Sequence, residues 1–68
     1  MNKELLRSFM VLNGDTNKTL ADCLGLTEQS VSSKINEKGT EFKQGEICKI
    51  RDRYKLTAEQ VEAIFFAG

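Results

Sequence analysis

Thr16-Asn-Lys-Thr-Leu-Ala-Asp-Cys-Leu-Gly-Leu-Thr-Glu-Gln-Ser-Val-Ser-Ser-Lys-Ile35 is the most informative run in this chain. Within it, Ala21 is followed four residues later by Gly25 and six residues after that by Val31. Two helices that cross steeply through a three-residue turn need a small side chain where they approach, a residue tolerant of positive φ at the turn, and an apolar plug. Ala21, Gly25 and Val31 supply these in order. Thr16 stands where an N-cap belongs, and Leu20, Ala21 and Leu24 share one face. With Gly25 just past its end, a helix is predicted over Asn17–Leu24. Thr27 can cap the next helix, and Leu26 and Val31 are placed for a hydrophobic staple that fixes the angle at which the chain enters. This second helix is predicted to run to about Glu37.

On the N-terminal side, Leu5, Leu6, Phe9 and Met10 recur at helical spacing, so Lys3 to about Asn13 reads as an amphipathic helix stopped by Asn13-Gly14-Asp15. On the other side, the polar Lys38-Gly39-Thr40-Glu41 gives way to Phe42, Ile47, Ile50, Tyr54 and Leu56, which predicts a helix over Gln44–Tyr54. Thr57-Ala-Glu-Gln60 fits a capping box, with Leu56 and Val61 as its staple pair, and opens a last helix that carries Ile64 and Phe65. No repeat or linker interrupts the pattern, so residues 1–68 are expected to form one all-α domain of five short helices around one core.

Composition bounds the chemistry. A chain of 68 residues buries only roughly 60% of its unfolded surface, which leaves little room for a deep pocket. The apolar run Phe9 to Leu12 is far short of the ~20 residues a membrane span needs, so no membrane partner is expected. There is no histidine, and the 2 cysteines, Cys23 and Cys48, lack CxxC spacing. Neither a zinc site nor a histidine-based catalytic apparatus can therefore be assembled, and the expectation is a reduced cytoplasmic protein with two small buried thiols. With no phosphate-cradling glycine loop and no plausible acid pair either, the chain reads as a non-enzyme without cofactor or small-molecule substrate. Ten basic residues against ten acidic ones give a formal net charge of zero, which is not the balance of a typical nucleic-acid binder.

The run from Thr16 to Ile35 resembles the Xre or Cro/repressor family of phage and bacterial helix-turn-helix regulators. The likeness extends through Phe42 to the ending Leu56-Thr-Ala-Glu-Gln-Val-Glu-Ala-Ile-Phe-Phe66, which is similar to small prophage-encoded, Cro-like members. The resemblance implies a lambda-repressor-like fold with its helix-turn-helix at the second and third helices. It also implies sequence-specific binding of double-stranded operator DNA in a bacterial host cell, with transcription regulation in a phage lysis and lysogeny switch as the role. Two departures stand out. Many members carry an apolar residue three positions after Val31, where this chain has Lys34 and puts its apolar residue at Ile35; and Lys43 precedes the fourth helix where a Ser or Thr cap is common.

With 100° per residue and Val31 and Ile35 turned inward, the outward fan of the third helix is Gln29, Ser32, Ser33 and Asn36. Such residues on an outward face are otherwise merely solvated; the spacing upstream is what favours base reading. Gln and Asn can address adenine edges bidentately and Ser either kind of base, so an A·T-leaning or weakly discriminating site is expected. The resemblance adds Glu28 near the base edges, although Glu in a first turn also simply complements the helix dipole. It further implies phosphate contacts at the start of the second helix and after the third, hence Asn17, Lys18, Lys38, Thr40 and Lys43. Between Glu28 and Lys43 the three lysines are matched by Glu28, Glu37 and Glu41, so a weak monomeric grip is expected. Lys49, Arg51, Arg53 and Lys55 read as a solvated face balanced by Asp52 and nearby acids.

Phe66 lies about 100° around from Phe65 and cannot share its direction. Cro-like chains commonly form two-fold dimers through this end, so Phe65 and Phe66 are the expected partner interface, in a homodimer or in a hetero-complex with a repressor. Zero net charge together with these two aromatics keeps a second function class open: a protein-binding modulator, or anti-repressor, that acts by gripping a partner repressor.

Overall fold

Four of the five helices among the described residues begin at a side-chain acceptor for an otherwise orphaned backbone N–H. Asn2 Oδ1 accepts from Leu5 at 3.1 Å, Thr27 Oγ1 from Ser30 at 3.1 Å and Thr57 Oγ1 from Gln60 at 3.2 Å, with Gln60 Oε1 accepting the Thr57 N–H at 2.8 Å in return. Thr16 accepts from Thr19 at 3.3 Å, and Thr19 Oγ1 takes the Thr16 N–H at 2.8 Å, so a threonine completes a capping box that usually ends in Glu or Gln. The computed structural model describes residues 1–66, and all regular structure among them is helical: α1 Lys3–Leu12, α2 Asn17–Leu24, α3 Glu28–Ile35, α4 Gln44–Tyr54 and α5 Ala58–Phe65.

The helices also end alike. The first four each close with a backbone N–H reaching five residues back, from Asp15 to Met10 (2.7 Å), Leu26 to Ala21 (2.9 Å), Lys38 to Ser33 (3.0 Å) and Leu56 to Arg51 (2.9 Å). The residue just before each donor lies in the left-handed region: Gly14, Gly25, Glu37 and Lys55. These are Schellman closures, which satisfy the last carbonyls of a helix. Glycine adopts this conformation freely, as at Gly25 (φ 70°), whereas Glu37 (φ 53°) and Lys55 (φ 54°) hold it against a steric cost. Helix α3 therefore stops at Ile35, two residues short of the sequence expectation, and α1 stops at Leu12, where Asn13 turns its Nδ2 onto the Phe9 carbonyl at 2.7 Å.

All five helices supply the core. Leu6, Leu20, Val31, Ile35, Ile50 and Ile64 are at most 1% exposed, and burying one such side chain contributes roughly 1.5–3 kcal/mol. Ala21, as buried as these, lies where α2 meets α3, the most extensively packed pair of helices, and the three residues Gly25-Leu26-Thr27 join them. Helix α5 folds back on α1, tied by the Asn2 N–H donating to the Ile64 carbonyl at 2.6 Å. Phe9 stacks on Tyr54 and Phe42 meets Phe65 edge-on, with centroids 6.5 and 5.9 Å apart.

One polar cluster pins the α1–α2 turn to α4. The Asp15 carboxylate, 5% exposed, accepts from Arg53 Nε (2.7 Å) and Nη2 (2.6 Å), Tyr54 Oη (2.7 Å) and Thr19 Oγ1 (2.8 Å). The Arg53 guanidinium, which outweighs the opposing effect of burial, and then the Tyr54 and Thr19 hydroxyls hold Asp15 well below the usual carboxylate range. Burial, followed by the adjacent Asp15 charge, pushes the Tyr54 phenol up. Arg53 is exposed, as expected, and the acid that balances it is Asp15. One expectation is corrected here: Cys23 and Cys48 are half-buried free thiols rather than core residues. No helix among the described residues is long and apolar enough to cross a membrane.

Candidate nucleic-acid interface

Helix α3 is seated by Val31 and Ile35 from its inner face and by its own cap, Thr27, at its start. That leaves Glu28 and Gln29 exposed in the first turn, with Ser32 and Ser33 half-buried one turn on. Asn36 is the C-cap residue, half-buried, and its Nδ2 donates to the Ser32 carbonyl at 3.0 Å. One of its two amide hydrogens is thereby engaged within α3, while its Oδ1 has no such tie.

Gln29 and Ser33 line an open depression of about 260 Å³ with Thr27, Ser30, Lys34 and Thr40. The structure thus brings Thr40, from the loop between α3 and α4, to the same recess as two of the residues expected to read bases. The recess is walled by hydroxyls and one carboxamide, groups that donate or accept as the ligand requires. Asn17 and Lys18 occupy the first turn of α2, half-buried and exposed respectively; Lys38 is exposed in the loop and Lys43 is exposed at the N-cap of α4. These four lie outside the recess, on the elements flanking α3.

Lys34 has no role in the sequence reading beyond breaking the apolar pattern. It is only 7% exposed. Its stem is buried against α3, and its Nζ donates to the Glu41 carbonyl at 3.2 Å and to Glu46 Oε1 at 3.1 Å. The same Glu46 oxygen accepts the Lys43 backbone N–H at 2.9 Å. A lysine side chain has no acceptor for the N–H groups of the first turn, so of the two halves of a capping box α4 has only the one its Glu46 supplies, to the Lys43 N–H. Burial pushes Glu46 up, but the Lys43 N–H and the Lys34 ammonium outweigh it and leave the carboxyl below its ordinary value. A lysine in an apolar slot and a Glu three residues past an uncapped helix start are the sequence signals that mark this pair.

Comparison with family models, with curated proteins and with solved structures gives no match to this chain. The assignment of a function therefore rests on the residues themselves.

At the far end of the chain, the two aromatics expected to act together are separated. Phe65 is half-buried against Phe42 and the core, whereas Phe66 is 65% exposed. Both line a second recess of about 260 Å³ with Met1, Phe42, Ile47 and the stem of Lys34, rimmed by Glu37, Glu41 and Gln44. Glu37 there lies 2.8 Å from the amino group of Met1.

Proposed function

We propose that this chain is a DNA-binding transcription regulator of the Cro-like helix-turn-helix type that reads the major groove with α3. The observation that carries the reading is the recess in which Gln29 and Ser33 of α3 meet Thr40 of the following loop, on a helix seated by Ala21, Gly25 and Val31. Gln29 addresses an adenine edge, Ser33 a neighbouring base and Thr40 the adjacent phosphate, while Asn17 and the N-terminal amides of α2 hold a second phosphate. Lys18, Lys38 and Lys43 add the electrostatic attraction. The likeness of residues 16–35 to phage regulators supports a role in a lysis and lysogeny switch inside a bacterial cell. Fluorescence anisotropy on the upstream intergenic DNA tests the proposal: saturable binding at low salt is expected, and its absence sinks the reading.

A second reading, a modulator that grips a partner repressor, is favoured by one observation. Phe66 stands in solvent at the edge of a recess floored by Phe42, Ile47 and Phe65. Co-purification with the repressor encoded nearby, lost in Phe66→Ser, together with no DNA binding by the isolated chain, is its signature.

A further inference from the structure

We propose that Lys34 and Glu46 form a latch that positions the Asn36–Lys43 loop beside α3, which makes Lys34 a positioning residue for the phosphate contacts of Thr40 and Lys43. This rests on the DNA-binding reading above, although the latch itself does not.

One ammonium and one carboxylate oxygen join three elements. Lys34 leaves α3 and meets the loop at the Glu41 carbonyl and α4 at Glu46, and Glu46 holds the Lys43 N–H at the start of α4. The start of the loop is held by the Lys38 N–H on the Ser33 carbonyl and by Glu37 on the Met1 amino group, both upstream of Thr40 and Glu41. Residues 37–41 are all exposed, two of them, Glu37 and Gly39, have positive φ, and Phe42 is its one buried side chain. Thr40 nevertheless sits in the recess with Gln29, Ser33 and the Lys34 stem, so whatever fixes Glu41 fixes its neighbour.

Stability alone is a poor reason for such a pair. Taking two charges out of water costs about as much as their attraction returns, and apolar replacements of similar volume are often neutral or stabilising. A Met or Leu at position 34 would fill the slot on α3 yet could hold neither the Glu41 carbonyl nor the Glu46 carboxylate. The two departures from the family pattern, Lys34 and Lys43, thus meet at one carboxylate: Glu46 neutralises the first and holds the backbone N–H of the second.

The test is the double variant Lys34→Met with Glu46→Gln in the full chain. The carboxamide that replaces the Glu46 carboxylate still offers a carbonyl oxygen to the Lys43 N–H, so α4 keeps its start and the fold is retained. In the free protein, amide order parameters at Thr40 and Glu41 are expected to fall from near ~0.85 to below ~0.6, with α3 and α4 unchanged. On upstream duplex DNA, affinity is expected to drop about tenfold and the salt slope by about one unit as Lys43 and Thr40 lose register. Unchanged order parameters overturn the latch. A loosened loop with unchanged affinity and slope overturns the positioning role. If the parent chain binds no DNA, the functional reading falls and the relaxation comparison alone decides the latch. Should the double variant not fold, Lys34→Met alone, which removes the donor to both Glu41 and Glu46, carries the same comparison.

Discussion

Replacing Asp15 by Ala removes the acceptor shared by Arg53, Tyr54 and Thr19, and the structure sets how much that should cost. Arg53 has a third of its side chain in solvent and can rehydrate after turning outward, so its share is discounted. Tyr54 is 8% exposed and its hydroxyl has no comparable escape; an orphaned buried donor costs about 1–3 kcal/mol. Adding the lost charge-assisted bonds, at the low end for a half-wet guanidinium, gives about 3 kcal/mol. A domain of this size holds roughly 3–10 kcal/mol in all. The expected fall in melting temperature is roughly 12–24 °C, read by circular dichroism at pH 7. Asp15→Asn, which keeps one carbonyl for Tyr54 and loses the charge, should fall between the two. A loss below about 1 kcal/mol for the alanine variant would refute the claim that this carboxylate pins α4 to the α1–α2 turn.

The same carboxylate fixes a pH response. Its folded value lies below its unfolded one, so its contribution is present above pH ~4 and is lost as pH falls towards the folded value. Urea midpoints should therefore drop below pH ~4 in the parent and much less in Asp15→Asn. Tyr54 shifts the other way: the folded form favours the neutral phenol, so stability should decline from pH ~10 upward, and less so in Tyr54→Phe. Lys55→Gly relieves a left-handed non-glycine residue on an exposed turn and should stabilise by about 0.5–1 kcal/mol, read as a higher urea midpoint at unchanged m. Ala21→Leu forces extra volume between α2 and α3 and should cost about 1–3 kcal/mol in the same assay. Gln29→Ala should narrow the affinity gap between specific and scrambled duplexes, whereas Lys38→Ala should lower the salt slope by about one unit without changing that gap.

The helices are legible in the sequence because their starts and most of their faces obey local rules. Thr16, Thr27 and Thr57 cap where expected, and α2, α4 and the inward faces of all five follow the apolar spacing. What escapes such rules depends on partners distant in sequence or on a residue acting out of type. The end of α3 falls short of its expected place because Glu37 takes the left-handed position that glycine holds at Gly14 and Gly25, and nothing local distinguishes it from a helical glutamate. Which acid balances the exposed Arg53 is not legible because that partner, Asp15, lies 38 residues away. Lys34 breaks the apolar pattern of α3, although its long stem can be buried as well as a leucine once Glu46 meets its charge.

These pairings also change what zero net charge means for DNA. Lys34 and Arg53 are tied to Glu46 and Asp15, so of the lysines beside α3 those left to meet phosphate in this reading are Lys18, Lys38 and Lys43. Three phosphates neutralised per chain correspond to a salt slope of at most about 2.7, and Glu28 and Glu41, both exposed, pull it lower. Binding by this chain must then lean on uncharged donors, namely Asn17, Thr40, the α2 amides and the serines of α3, which act at hydrogen-bond range and are not screened by salt. A slope near 1–2 per chain with measurable preference for one sequence is the expected result across a salt titration. A slope above about 4 would mean that Lys49, Arg51 or Arg53 touches DNA, and would place the interface on α4 rather than α3.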